Sequence, residues 1–148
     1  VEIGPQASIW FGCILRADVN AIRVGARTNI QDGSVIHCES PWPSKQGYPT
    51  LIGDDVLIGH MVMIHGATLE NEAFIGMSAS LLNGTVVEGQ GMVAAGALVA
   101  GKRIPRGQLW AGQPAKYMRD LTPEDLAGMK AGKDRYVVSG QIYRAQLG

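Results

Sequence analysis

Large aliphatic residues recur along this chain every six positions: Ile3, Ile9 and Leu15, then Val24, Ile30 and Ile36, then Ile52, Ile58 and Ile64. After one five-residue step from Ile64 to Leu69, the series resumes through Ile75, Leu81, Val87, Val93 and Val99. A period of six is neither helical nor a simple strand alternation. It is the repeat of a β-helix, in which each hexad is a short strand plus a turn and three hexads close one coil. Four places after each aliphatic a second inward position reads Ala7, Cys13, Val19, Thr28, Ser34, Val56, Val62, Thr68, Ala73, Ala79, Thr85, Gly91 and Ala97, all small or β-branched. One large and one small side chain per rung is what a narrow triangular prism can close-pack. Glycine often follows the aliphatic, as in Gly4, Gly25, Gly53, Gly59 and Gly76, where a tight corner is expected to favour a residue without Cβ. The predicted fold class is therefore an all-β solenoid, a parallel β-helix of hexapeptide rungs.

Interruptions of the period mark the excursions. Leu15 and Val24 stand nine apart because of an insertion around Asp18 to Ala21, and a longer insertion spans Ser40 to Pro49. The prolines and glycine of the second are expected to prevent regular pairing and to make it a loop beside His37. Ile104-Pro105, Gly107, Gly112 and Pro114 end the coil in an extended exit. Thr122-Pro123-Glu124-Asp125 predicts a helix start, with threonine as N-cap, proline first and acids in the first turn. Gly128, Gly132 and Gly140 weaken that C-terminal helix and are expected to divide it, while Leu121, Leu126, Met129, Val137 and Tyr143 would pack it on the prism or across a subunit boundary. The division is thus a β-helix domain over 1–114 and a linker with a C-terminal helix over 115–148. The repeat opens in mid-pattern at Val1, which predicts a further coil upstream.

Composition narrows the function. The net charge of +0, from 13 basic and 13 acidic residues without a long basic run, argues against nucleic acid as a partner. No apolar stretch is long enough for a membrane span and no secretory leader opens the chain, so the expected setting is cytoplasmic. Two cysteines make no disulfide framework. Cys13 fills a small inward slot, and Cys38 faces away from its neighbour His37 because successive strand residues alternate.

The chain holds three histidines, His37, His60 and His65. Assigning rungs to three faces in rotation puts His37 and His65 just after the third-face aliphatics of adjacent coils, about 4.8 Å apart. His60 follows the second-face Ile58 and lies near another edge. Three ligands therefore come together only if a neighbouring subunit brings its own His60, an arrangement that a homotrimer repeats three times. Three imidazoles with an open position are the ligand set of a catalytic zinc site. Arg16 lies one coil below His37 and Asp32 one coil below His60, where an aspartate can orient an imidazole or join an interface ion pair.

Arg16-Ala17-Asp18, Asn29-Ile30-Gln31-Asp32-Gly33, His37, Gly59-His60 and His65-Gly66, with the later Leu109 to Ala115 segment and Leu121-Thr122, resemble the gamma-class carbonic anhydrase family over nearly the whole chain. The resemblance implies a left-handed β-helix, a homotrimer, and zinc at each subunit boundary, with iron or cobalt as alternatives. It implies that His37, His60 and His65 are metal ligands, that Gln31 contacts solvent on the metal, and that Asn29 is a positioning residue. Arg16, Asp18 and Asp32 become interface and bicarbonate-site residues, and Tyr136 matches a helix tyrosine near the site. Val19 stands where the most active members carry an acid. Ser40 stands where they carry a proton-shuttling glutamate three residues after the first histidine, with Glu39 out of register, so modest activity is expected. The implied reaction is zinc-dependent reversible hydration of carbon dioxide to bicarbonate. The alternatives are a coenzyme A-linked acyltransferase or thioesterase using one histidine as base, and a non-catalytic, metal-stabilised trimeric scaffold.

Overall fold

The computed structural model describes residues 1–147, which form a left-handed parallel β-solenoid of about six coils with a C-terminal helix. The first coil holds β1 (Glu2–Ile3), β2 (Ser8–Ile9) and β3 (Ile14–Leu15), and the second holds β4 (Ile22–Val24), β5 (Asn29–Ile30) and β6 (Val35–His37). The third holds β7 (Thr50–Ile52), β8 (Leu57–Ile58) and β9 (Met63–His65), and the fourth β10 (Thr68–Leu69), β11 (Phe74–Ile75) and β12 (Ser80–Leu82). Above them lie β13 (Val86–Val87), β14 (Met92–Val93), β15 (Leu98–Ala100), β16 (Arg103–Ile104), β17 (Gln108–Gly112) and β18 (Ala115–Asp120). Like strands of successive coils stack into three parallel sheets, one per face of the prism, and β18 turns back antiparallel on β17 to close the second sheet. The coil runs further than expected: β16 and β17 still stack in parallel on β13 and β14, with Ile104 buried in the core, and only β18 leaves it.

Large inward aliphatics fill the axis. Ile30, Ile36, Ile58, Ile64, Ile75, Leu81, Val87, Val93 and Val99 are all fully buried, with Thr28, Ser34, Val56, Ala79 and Thr85 between them. Thr28 and Ser34 donate their hydroxyl hydrogens to the carbonyls of Gly53 and Gln31, so these two buried hydroxyls are satisfied. Two expected inward residues face out. Val19 is 41% exposed on the first excursion, and Ile22 is buried instead. Thr68 pairs beside Leu51 and Val86 on the outer side of the first sheet, because the five-residue rung moves the small slot to Ala67.

The glycines after the aliphatics serve a different purpose from the one expected. Positive φ falls two places later, on Arg27, Asp55, Met61, Glu72, Ser78 and Gln90 among others. A Cβ on Gly25 or Gly76 would instead lie 2.4 Å from backbone atoms of the next coil. These positions need close stacking between coils, not an unusual dihedral.

The helix α1 (Pro123–Leu147) runs unbroken along the second sheet, against β2, β5 and β8. Thr122 and Asp125 cap it reciprocally: each backbone N–H donates to the other's side chain, at 2.8 and 3.2 Å. The glycines do not break it because two of them set its contact distance. A Cβ on Gly132 or Gly140 would sit 3.2 Å from Leu57 or Ser8. Packing offsets their poor intrinsic propensity. Arg27, Asp55, Lys133 and Asp134 form an ion-pair cluster between helix and prism. Burial raises the Asp55 carboxyl, but hydrogen bonds from Arg27 and Lys133 outweigh that effect and hold it below its ordinary range. Among the described residues no helix is long and apolar enough to cross a membrane.

Candidate metal centre

The strands β6 and β9 pair in register, with Val35 opposite Met63, Ile36 opposite Ile64, and His37 opposite His65. The inward isoleucines fix the alternation, so both imidazoles emerge on the outer side of the third sheet. Their rings are 5.0 Å apart between centroids, and His37 Nδ1 lies 3.0 Å from His65 Nε2. His65 Nδ1–H donates to Asn83 Oδ1 at 2.7 Å, and Asn83 Nδ2–H donates to Glu39 Oε2 at 3.0 Å. His37 Nε2–H donates to Asp18 Oδ1 at 2.9 Å, while the Arg16 guanidinium pairs with the other oxygen of that carboxylate. Hydrogen bonding from His37, with Arg16 beside it, holds the Asp18 carboxyl below its ordinary range.

His60 sits on the turn between β8 and β9. Its Nδ1–H donates to Asp32 Oδ2 at 3.0 Å, which leaves Nε2 free on a side chain 40% exposed. Among the described residues, no three His, Cys, Asp or Glu side chains of one chain gather around a single point. His37 and His65 come together, and His60 stands apart from them.

Gln31 is buried at the corner after β5, one place before Asp32. Asn29 is 1% exposed. Its Nδ2 donates to Ser8 Oγ at 2.8 Å, and its Oδ1 has no partner. Trp10 Nε1 also donates to Ser8 Oγ, and the Trp10 ring meets Tyr136 of α1 edge-on at 5.2 Å. Cys38 is fully buried in the core, on the opposite side of the strand from His37. Cys13 donates to the Gln31 carbonyl, and burial pushes its thiol up.

The Ser40–Pro49 insertion is a small hairpin, bridged Glu39 to Tyr48 and Trp42 to Lys45. Tyr48 lies over Gly66 and Gly84. This closure turns the Glu39 carboxylate back to 4.0 Å from His65 Nδ1, although its register suggested otherwise. Asn83 was missed altogether. The signal was present, because Ile64 pairs with Leu81 and two steps further Asn83 stands directly over Gly66.

The chain is 50% identical over 147 residues to gamma carbonic anhydrase 1, mitochondrial, of Arabidopsis thaliana, a match covering 99% of this chain and 54% of that protein. It is 40% identical to a carbonic anhydrase of Geobacillus kaustophilus, over 98% of this chain and 77% of that one. The chain belongs to the gamma carbonic anhydrase family. A solved hexapeptide transferase family protein from Anaplasma phagocytophilum superposes on it with a TM-score of 0.87 at 39% identity, covering 96% of this chain and 82% of that one. No family model matches the chain. The chain spans about half the length of the Arabidopsis relative.

Membership in the gamma carbonic anhydrase family implies a metal cofactor in general, and the donor set fits one. With Nδ1–H of His65 committed to Asn83, its Nε2 carries only a lone pair. His37 Nδ1 can approach that lone pair at 3.0 Å only across a proton or a shared cation. Two tetrahedral ligands on an ion with metal–nitrogen bonds of about 2.0–2.1 Å stand roughly 3.3 Å apart, close to the separation seen. Each imidazole in this gamma carbonic anhydrase family chain also has its second nitrogen held by an oxygen acceptor, the usual support for a ligating histidine.

Proposed function

We propose that this chain catalyses reversible hydration of carbon dioxide to bicarbonate as a homotrimer, with His37 and His65 of one protomer and His60 of the partner subunit holding a zinc ion. Ferrous iron and cobalt are the alternative metals. The observation that carries the reading is the convergence of His37 Nδ1 and His65 Nε2 at 3.0 Å on adjacent coils. His60 supports the intersubunit part, because Asp32 turns its free Nε2 outward from a different edge. The third sheet also carries apolar side chains that α1 does not cover, among them Ile14, Met63 and Leu82. Exposed apolar surface of this kind suits a subunit boundary.

Bound there, the ion would supply the Lewis acidity that makes water nucleophilic near neutral pH. The chain's own residues would do the rest. Asp18 accepts from His37 and fixes its ring, and Asp32 does the same for His60. Arg16 offers a guanidinium for the bicarbonate anion. Gln31 orients the attacking water, and Asn29 and Tyr136 hold that corner through Ser8 and Trp10. Val19 and Ser40 occupy two positions where acids would assist proton removal, so the expected activity is modest.

Likeness to the Anaplasma hexapeptide transferase family protein favours a second reading, acyl transfer or thioester hydrolysis with coenzyme A. A cleft of about 260 Å³ between α1 and the second sheet, lined by Leu57, Phe74, Leu126, Met129 and Lys133 among others, could receive an acyl group. A metal-holding scaffold without turnover is the third. For the compartment, the cytoplasm expected from composition stands against mitochondria, the location in the Arabidopsis relative's name, and imaging of the tagged full-length product decides between them. Metal analysis with stopped-flow hydration on one anaerobic preparation tests the main reading. Stoichiometric metal with hydration supports it. Stoichiometric metal without hydration favours the scaffold, and acyl-coenzyme A turnover without metal favours the transferase.

A further inference from the structure

We propose that Asn83, anchored by Glu39, selects the tautomer of His65 and so presents the His65 Nε2 lone pair to the ion site. An amide side chain offers a donor on one end and an acceptor on the other, so which end meets the imidazole decides which ring nitrogen bears the proton. Here the carboxylate of Glu39 settles the orientation. It can only accept, so it takes Asn83 Nδ2–H at 3.0 Å, and Asn83 Oδ1 is left facing His65 Nδ1 at 2.7 Å. An amide turned end for end would set its oxygen against the carboxylate. The chain from Glu39 through Asn83 to His65 therefore has one direction, and it ends in a bare Nε2 lying 3.0 Å from His37 Nδ1.

Two other features serve the same contact. Gly66 lies beneath Asn83, and a Cβ there would stand 2.4 Å from Asn83 Oδ1, so the amide reaches the imidazole only because residue 66 has no side chain. The hairpin closed by the Glu39 and Tyr48 bridge holds the Glu39 backbone, with Asn20 Nδ2–H donating to the Glu39 carbonyl at 2.9 Å. Asn83 is thus a positioning residue that acts on the ligand through His65. Its consequence for metal affinity rests on the proposed metal reading, but its effect on the tautomer does not require metal.

The test uses the full chain labelled with ¹⁵N-histidine and stripped of metal by chelator, with the three histidines assigned by single His→Gln variants. Long-range ¹H–¹⁵N correlation reads which nitrogen of His65 is protonated, and chelator competition reads zinc affinity on the same samples. In the wild type the proton sits on Nδ1. Asn83→Leu moves it wholly or partly to Nε2 and lowers affinity by about 10–100-fold, the usual effect of losing a ligand's supporting partner. Asn83→Asp combined with Glu39→Gln keeps an acceptor oxygen toward His65 and returns a donor–acceptor pair between residues 39 and 83, and it restores both readouts. Glu39→Leu, which leaves Asn83 in place, releases the amide and gives a mixed tautomer. An Nδ1 proton that persists in both Asn83→Leu and Glu39→Leu overturns the proposal, as does an affinity loss with the tautomer unmoved. A wild type with the fixed tautomer but no zinc binding would sink the metal reading and leave the assignment to Asn83 standing.

Discussion

Gly66 adopts a φ of +62° and lies beneath both Tyr48 and Asn83. A Cβ there would approach Tyr48 Cβ to 2.6 Å and Asn83 Oδ1 to 2.4 Å, so Gly66→Ala adds two separable penalties. The left-handed backbone costs roughly 1–2 kcal/mol for a residue with Cβ, and overpacking against Tyr48 and Asn83 adds roughly 1–3 kcal/mol. Gly96 is the internal control. Its φ is +68° with nothing within 4 Å of the built Cβ, so Gly96→Ala bears the backbone penalty alone. We predict a loss of roughly 2–5 kcal/mol for Gly66→Ala against roughly 1–2 for Gly96→Ala, within a total stability of order 10 kcal/mol for a chain of this length. Urea unfolding at constant protein concentration, compared through midpoints at equal slope, measures the difference. Equal losses would show that Tyr48 and Asn83 do not crowd Gly66, and the account of how the hairpin and Asn83 close over His65 would fall with that result.

The intersubunit assignment predicts that His60→Ala homotrimers and His37→Ala/His65→Ala homotrimers each bind little metal, whereas refolded mixtures regain some. Verified mixing without regained metal would refute the shared site. If Ser40 marks a missing proton relay, hydration should rise with buffer concentration. Ser40→Glu should then raise the rate at low buffer toward the roughly 100-fold that a positioned proton-transfer group contributes, and a fast wild-type rate indifferent to buffer would show that another group already serves. Asp55→Asn strips a partner from Lys133, whose side chain is only 9% exposed, and should destabilise the fold by about 2 kcal/mol, less than the roughly 3–5 of a fully broken buried pair because Asp134 remains 3.4 Å away. In the same cluster the Asp55 and Asp134 carboxyls sit below their ordinary values, Asp55 through Arg27 and Lys133 against the opposing effect of burial, Asp134 chiefly through Lys130. Their contribution is then complete above an unfolded pKa of about 3.9 and lost as pH falls through the folded values. Helix docking followed by Trp10 fluorescence should weaken only below about pH 4, and loosening that begins above pH 5 would contradict the assignment.

The sequence was legible wherever the rung length held constant. Steps of six place each isoleucine on the axis, and the same arithmetic brings His37 beside His65 because the ten residues inserted in that coil leave as a hairpin without shifting the register. It failed where a rung departed from six residues. The five-residue rung after Ile64 turned Thr68 outward and put Ala67 in its slot, and the excursion after Leu15 did the same to Val19 and Ile22. The glycines after the aliphatics were found for the wrong reason, since a corner in the left-handed region and a Cβ colliding with the next coil both select glycine but two places apart. Asn83 was missed for a related cause. The short rung makes Leu82 the register partner of His65, and it places Asn83 over Gly66, where a glycine leaves room for an amide. A solenoid with a fixed period makes neighbours of residues one coil apart, so a one-residue change in a rung alters which side chain stands over which. In this chain that change sets Asn83 over Gly66 and within reach of His65, and the hairpin closure turns Glu39 to the same place, where the family resemblance had pointed to position 40.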